Sequence, residues 1–294
     1  MRKIKNAIKT SLNLLPFSLR IKLIGLIKLG YKLDLSSPRT FNEKINYRKY
    51  KALEPLMTVC SDKYLVRNFV AERIGEKYLI PLLYVGEKIT EADIRNISCD
   101  CVIKTTHDSG TVFLLKSGDN IKISTLLRSI NRSLNFDFGK YNDEPWYSEI
   151  KPRILVEKML KNSDGAVPDD YKFHVFNNKK NDLTEVILQV DYDRFTNHTR
   201  SFYDESGRLL ALQNKYPINK SGSVKKIENL DLMFDLAKNI SSDFSYVRVD
   251  LYNLNGDIFF GELTFAHETG FGRFNDYDCD LAFGKKWSQN ETQL

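Results

Sequence analysis

Two runs of residues, 246–252 and 258–265, meet across Asn253-Leu254-Asn255-Gly256-Asp257, and this hairpin constrains the fold more than any other stretch. Asn-Gly between alternating runs is a strong hairpin signal, because both residues accept positive φ. Val247, Val249, Leu251, Phe259, Gly261, Leu263 and Phe265 take the odd positions; Arg248, Asp250, Glu262 and Thr264 take even ones. A two-residue turn at Asn255-Gly256 would set Asp250 against Gly261 and mix the polar and apolar faces. A slip of one residue moves every side chain to the other face, so the pattern selects a register. A three-residue loop, Leu254-Asn255-Gly256, with Gly256 left-handed, sets Arg248 against Glu262 and Asp250 against Phe260. It predicts one apolar face, and another on which Arg248, Asp250, Glu262 and Thr264 converge beside Tyr246 and Phe260. Two carboxylates with a hydroxyl oxygen suit a hard cation such as Mg²⁺. The plainer alternative is a surface Arg–Glu cross-strand pair, contributing on the order of a few tenths of a kcal/mol.

The rest of the chain supplies strands and helices in an order that suggests an α+β fold with largely antiparallel sheets. A polar helix is expected over 41–52. A second begins at Ser61 as its N-cap and ends near Gly75, with Leu65, Phe69 and Ile74 turned inward. Strands over 101–106 and 111–116 flank the loop His107-Asp108-Ser109-Gly110. A helix over 121–134 follows, then strands over 153–160, 170–176, 185–193 and 200–203, and a helix over 228–240. At 294 residues, 42% hydrophobic and 12% aromatic, the chain has ample core and none of the marks of disorder.

The net charge of +6 is unevenly placed. Residues 1–33 carry Arg2, Lys3, Lys5, Lys9, Arg20, Lys22, Lys28 and Lys32 and no acid, so the remainder is net acidic. A nucleic-acid binder spreads its basic residues over a folded face, and none is expected here. The same segment is apolar at Ile4, Ile8 and Leu12 and again after Pro16. Arg20, Lys22 and Lys28 interrupt it well short of the ~20 residues that span a bilayer. No clean apolar stretch or small-residue cleavage site makes it a signal peptide. Two readings stand: an interfacial helix on an anionic membrane surface, or apolar residues packed on the domain with solvated lysines. Cys60, Cys99, Cys101 and Cys279 form no disulfide pattern and have no further metal ligands nearby, which suggests reduced thiols in a cytoplasmic protein.

Several phrases then resemble one family. Val247-Arg248-Val249-Asp250-Leu251, the Asn-Gly turn and Phe260-Gly261-Glu262-Leu263-Thr264 resemble the end of the ATP-grasp core, where Asp and a Glu-x-Asn pair hold magnesium on ATP; Thr264 stands in place of the Asn. Other landmarks follow in order. Ser61-Asp62-Lys63 resembles the helix start whose Lys reaches phosphate. Lys104 matches the strand lysine of the α-phosphate. His107-Asp108-Ser109-Gly110-Thr111 is similar to the small-residue loop over the triphosphate. Leu155-Val156-Glu157-Lys158-Met159-Leu160 is similar to the strand and hinge for adenine and ribose. Lys172 also faces phosphate by this likeness. More narrowly, Arg39-Thr40-Phe41-Asn42-Glu43-Lys44-Ile45, Lys104-Thr105 with His107, Asp193-Arg194-Phe195-Thr196-Asn197-His198 and Gly261-Glu262-Leu263-Thr264-Phe265 resemble the TupA-like ATP-grasp proteins, named for teichuronopeptide synthesis.

The resemblance implies an ATP-grasp fold: two α+β lobes clasping ATP, over about 61–160 and 161–280 within a domain of 36–294, after a basic N-terminal segment of 1–35. It implies ATP and Mg²⁺ as cofactors. The metal falls to Asp250, Glu262 and Thr264. The nucleotide falls to Lys63, Lys104, Ser109, Gly110, Glu157, Lys158, Leu160 and Lys172. Arg248 and Arg194 take catalytic roles, and His198, Arg200 and His267 bind an anionic acceptor. The implied reaction joins a carboxylate to an amine through an acyl phosphate, in surface-polysaccharide assembly, with an amino acid and a uronic-acid glycan or acidic peptide as substrates. A lipid-linked substrate would suit a basic N-terminus lying on the inner face of the membrane. Two rival readings differ in class. A sugar transferase would use Asp191-Tyr192-Asp193 for a nucleotide-sugar metal, and a non-catalytic adaptor would bind membrane through residues 1–33 without nucleotide.

Overall fold

A computed structural model describes residues 14–51, 53–116, 118, 121–162, 165–193, 197–219 and 224–289. The chain opens with helix α1 (Phe17–Leu29), followed by α2 (Phe41–Lys51), α3 (Met57–Ser61) and α4 (Val66–Ile74). The first lobe holds strands β1 (Leu82–Gly86), β2 (Cys101–Thr105) and β3 (Val112–Leu115) and helices α5 (Glu91–Arg95), α6 (Ile123–Leu134), α7 (Phe138–Asn142) and α8 (Pro145–Ser148). With β4 (Ile154–Lys158) the strands form an antiparallel sheet in the order β1-β4-β2-β3. Ile154, Leu155 and Val156 are a continuous apolar run because β4 lies inside the sheet and is buried on both faces. Ile103, Ile154 and Val156 join Leu126 and Ile130 of α6 in a core of its own.

The second lobe is a five-stranded antiparallel sheet, β7-β6-β5-β8-β9. Its strands are β5 (Asp170–Asn178), β6 (Leu183–Tyr192), β7 (Thr199–Tyr203), β8 (Tyr246–Leu254) and β9 (Asp257–Thr264), with helix α9 (Leu230–Ser241) before the last pair and α10 (Tyr277–Lys285) after it. Successive strand residues face opposite sides. Val247, Val249 and Leu251 of β8 lie on the side of Phe173 and Val175 of β5, and Phe234 of α9 packs edge-on against Phe173 at 5.1 Å. The other side grades from aromatic to charged. At one end Phe41 of α2 meets Tyr246 at 5.1 Å and Phe283 of α10 at 4.8 Å. At the other end stand Lys172, Arg248 and Asp250.

The expected hairpin register is corrected. Asn255 (φ 51°) and Gly256 (φ 95°) make a two-residue turn, both in the left-handed region, so Leu254 faces Asp257 and Leu251 faces Phe260. The register then shifts at Gly261, after which Asp250 faces Glu262 and Arg248 faces Thr264. A β-bulge, not a longer loop, reconciles the two faces. It reverses the parity of β9, so Ile258 and Phe260 are the buried residues on the turn side and Leu263 and Phe265 on the site side. Phe260 therefore lies away from the charged face, where the odd-even reading had put it.

Two smaller expectations change as well. Ser61 ends α3 instead of capping the next helix, and Asp62 accepts hydrogen bonds from the backbone N–H of Tyr64 (2.8 Å) and Leu65 (3.3 Å). The helix turns Val66, Phe69 and Val70 inward, while Leu65 is 37% exposed.

Candidate active site

The charged end of the large sheet is organised by register. Gln189, Lys172, Asp250 and Glu262 stand directly opposite one another on β6, β5, β8 and β9. The neighbouring row is Ile187, His174, Arg248 and Thr264. Asp250 is 4% exposed, and both its oxygens are engaged. Arg248 donates to it through Nε (2.6 Å) and Nη2 (2.7 Å), and Lys172 through Nζ (2.8 Å). Lys172 also reaches Asp170 at 3.1 Å. Burial alone would push the Asp250 carboxyl up; the Arg248 and Lys172 charges reverse this and hold it below the usual range. Arg248 also reaches Glu262 (3.3 Å) and donates to the Thr264 hydroxyl (2.9 Å). Thr264 thus positions Arg248, while Glu262, with its side chain 38% exposed, faces the cleft.

Further hydrogen bonds fix this row. Arginine is only a donor, so His267 accepts from Arg248 Nη1 at Nδ1 (2.9 Å). His174 lies between Tyr246 Oη (2.9 Å) and Gln189 Oε1 (3.1 Å), and Gln189 Nε2 donates to Asp191 (3.1 Å). Because Gln189 presents its carbonyl oxygen, His174 carries its proton on Nε2 and accepts from Tyr246. Burial, with Arg248 nearby, pushes the His174 pKa down to about 3. The unfolded histidine titrates near 6.5. Between those values the unfolded chain binds the proton and the native one does not, so this contribution to stability rises with pH and is complete above about 6.5. Glu144, pushed up to about 7 by burial, acts in the opposite direction above 4.5. His174→Gln is therefore expected to lose less stability than the wild type between about pH 7 and pH 5. Urea midpoints at the two values measure the difference, and equal losses would exclude a neutral buried His174.

A cavity of about 360 Å³ opens where β4 leaves the first lobe. Val102, Val112, Leu114, Met159 and Leu160 give it apolar walls, and Tyr252 and Asp170 close it from the large sheet. Its size is that of a small-molecule site. Of the expected nucleotide residues, Lys104, Gly110, Glu157, Lys158 and Leu160 line it. Glu157 is held between Lys104 (2.8 Å) and Arg67 (3.1 Å), so the cavity presents a cation that is already oriented. Lys172 stands at the adjoining end, bonded to Asp170. Ser109 is exposed on the loop and does not line the cavity.

Lys63 is placed differently. It donates to the backbone oxygens of Thr105 (3.0 Å) and Asp108 and lies 3.6 Å from the Asp108 carboxylate. It shares a small crevice with Ser61, Tyr147 and Glu262. Asp108 is 1% exposed: the negative charge in the loop turns inward to Lys63 instead of facing the cavity. Burial pushes the Lys63 ammonium down, against the pull of Asp108 and Glu262.

On the same face of the sheet, toward its β7 edge, Arg200 binds Asp191 through Nε (2.5 Å) and Nη2 (3.2 Å), and His198 reaches the same carboxylate at 3.2 Å. Burial opposes ionisation of Asp191, but Arg200 holds its carboxyl far below the usual range. Committed to these partners, Asp191 is poorly suited to hold the metal of a nucleotide sugar. His198 stacks on Tyr216 at 3.7 Å, and Glu268 bridges Arg200 (3.5 Å) and Lys215 (3.2 Å). His267 is buried behind Arg248. Arg194 lies outside the described residues.

Two antiparallel sheets with a base-sized cavity where β4 leaves the smaller one, and a Lys–Asp–Glu row with Arg248 beside it on the larger one, define an ATP-grasp arrangement. The chain belongs to the TupA-like ATPgrasp family, whose sequence model matches residues 43–288. ATP-grasp proteins of the ligase class use ATP and Mg²⁺. Among solved structures, D-alanine–D-alanine ligase from Helicobacter pylori matches over 78% of this chain and 61% of its own, at 13% identity and TM-score 0.45. Phosphoribosylamine–glycine ligase from Thermotoga maritima matches over 73% and 50%, at 12% identity and TM-score 0.43. D-alanine–D-alanine ligase from Bacillus anthracis matches over 70% and 56%, at 13% identity and TM-score 0.37. This chain thus spans little more than half the length of these ligases. Comparison with curated protein sequences gave no match.

The donor set fits Mg²⁺ bound together with phosphate. A carboxylate offers about four lone-pair directions, of which Arg248 and Lys172 take three on Asp250. Glu262 adds a cleft-facing oxygen pair. Among the described residues no group of three or more His, Cys, Asp or Glu could hold a metal by itself. Magnesium sites of one or two carboxylates plus substrate phosphate need no such group.

Sequence reading missed Arg67, Asp170 and Tyr252. Arg67 follows Lys63 by four residues, the spacing that sets side chains on one side of a helical turn, and this was its available signal. Asp170 and Tyr252 fall on the same strand faces as Lys172 and Asp250.

Proposed function

We propose that the chain is an ATP-dependent, ADP-forming ligase that activates a carboxylate as an acyl phosphate and passes it to an amine. The proposed substrates are an amino acid and a uronic acid or acidic peptide of a bacterial surface polysaccharide. The observation carrying the reaction class is the row of Lys172, Asp250 and Glu262, with Arg248 beside it, at the end of a base-sized cavity. Bound Mg-ATP would supply the transferable phosphoryl group and the metal charge that makes its transfer feasible.

The chain's own residues would position the reactants and neutralise charge. Asp250 and Glu262 would hold the metal. Lys104, oriented by Glu157, would meet a phosphate at the cavity mouth, with Lys63 and Lys172 adding charge beyond it. Arg248 is held in plane by Asp250, Thr264 and His267, so its guanidinium need not reorganise as charge builds on the transferring group. Arg200, His198 and Lys215 would receive the acidic substrate, which their hydrogen-bond donors gathered at that end support. Asp191 and Glu268 already balance the two cations there, so an acidic group would compete with these carboxylates for the donors. Arg194 belongs to the same proposal.

Thermal unfolding with and without Mg-ATP tests the reading. A ligand at about 100 times its Kd stabilises the native state by about 2.7 kcal/mol. Wild type should show a stabilisation of this kind and Glu262→Gln should lose most of it. No stabilisation of the wild type would overturn the nucleotide site. ADP release screened with amino acids and uronic-acid glycans then separates a ligase from a sugar transferase or an adaptor.

A further inference from the structure

Helix α1 carries two apolar faces where a surface helix ordinarily has one. Its docked face is narrow: Ile21 and Gly25 are the buried residues, packed with Leu33 and Leu35. A Cβ on Gly25 would lie 2.8 Å from the Leu33 side chain, so glycine permits this close approach. Phe17 stacks on Tyr50 at 5.1 Å, and Arg20 bonds Asp143 at 2.6 Å, so the helix is held firmly to the domain. At about 100° per residue, Leu19, Leu23, Leu26 and Ile27 fall together in one sector of about 100°, diametrically opposite Ile21 and Gly25. They are 46%, 37%, 56% and 77% exposed. Lys22 borders one edge of this sector; Arg20, at the other edge, is committed to Asp143. Packing on the domain therefore leaves the opposite side of the helix uncovered.

We infer that this outer face of α1 is a docking surface for an anionic lipid bilayer, lying in the interface with the helix axis along the membrane plane. Four adjacent apolar side chains with a flanking lysine are what such a surface binds: the apolar side chains enter the acyl boundary while the Lys22 ammonium stays at the headgroups. Charge complementarity selects this occupant over a second copy of the chain. Residues 1–33 hold eight cations and no acid, and a self-complementary contact would bring two such sets together. An anionic surface instead attracts this net positive segment, with Lys22 beside the apolar sector. No helix among the described residues is long and apolar enough to cross a membrane, so the contact is peripheral. The inference is independent of the nucleotide reading.

Sedimentation of the full chain with phosphatidylglycerol-rich vesicles tests it, with pure phosphatidylcholine vesicles as the comparison. Wild type should pellet with the anionic vesicles, and binding should weaken several-fold in high salt. Leu23→Glu/Ile27→Glu, whose changes lie at exposed positions and should leave the unfolding midpoint unchanged, should bind at least about tenfold more weakly. Lys22→Glu should give a loss on the order of fivefold or more. The inference is overturned if wild type stays in the supernatant, if it binds phosphatidylcholine equally well, or if the double variant pellets like wild type. It is also overturned if light scattering shows a dimer that the double variant dissolves, since a second copy would then cover the face.

Discussion

Asp250→Asn is expected to lower unfolding stability by about 3–5 kcal/mol, the usual result of leaving a buried cation without its partner. The change is isosteric, so lost packing does not confuse the measurement. It leaves Arg248 with Glu262 at 3.3 Å and Lys172 with Asp170 at 3.1 Å, which places the loss toward the lower end of that range. Adding Lys172→Met to Asp250→Asn should return part of the stability, because one uncompensated charge is removed. It should return none of the Mg-ATP response, because both residues are proposed to serve the nucleotide. Denaturant midpoints and nucleotide thermal shifts on the single and double variants check this. A single variant less than about 1 kcal/mol below wild type would refute the buried ion cluster.

Phe41→Ala is expected to be as damaging, at about 3–5 kcal/mol, for a reason unrelated to charge. Its ring is fully buried among Tyr246, Phe283, His174, Phe176 and Trp287. Truncation opens a cavity between α2, α10 and the aromatic end of the large sheet. Tyr246 also donates to His174, which supports Gln189 and, through it, Asp191. The variant should therefore weaken nucleotide or acceptor binding even where it remains folded. Phe41→Leu, which refills much of the space, should recover more than half of the lost stability in urea unfolding. A fall below about 1 kcal/mol for the alanine variant would show that the aromatic cluster closes up around the gap.

These two residues show what could and could not be read in advance. Asp250, Arg248, Glu262 and Thr264 were legible because charged residues at a two-residue period, beside an apolar alternation, must share a face. Their register was not. Gly261 has no side chain to declare a face, so the bulge left no mark, and the alternation favoured a longer turn over the Asn-Gly rule. The phrase around Phe41 was legible as a family likeness, but its work is architectural. Thr40 and Glu43 exchange capping hydrogen bonds, and Asn42 donates to Asp280 of α10. Lys44 donates to the backbone oxygen of Gly284. Arg48 was hidden for the opposite reason. In a helix of polar composition it reads as solvated, yet it is fully buried and donates to the backbone oxygens of Tyr246 and Phe265. Such a role depends on partners some 200 residues away, which local pattern does not register.

The bulge at Gly261 divides the hairpin into two independently phased halves. On the tip side, Asn253 and Asn229 tie the turn to the start of α9 through the backbone oxygens of Glu228 and Gly256. On the cleft side, Asp250 and Glu262 are paired one register step away. The extra residue acts as an expansion joint: the tip answers to the helix beneath it, and the carboxylates answer to the sheet. Remodelling of the tip can then proceed by substitution or by exchange of the turn without moving the two oxygens apart. Deleting one residue at the joint would invert whichever half is less firmly held. The outer end of the hairpin is thus uncoupled from the register of the carboxylates at its inner end, and the boundary between the two is a single glycine.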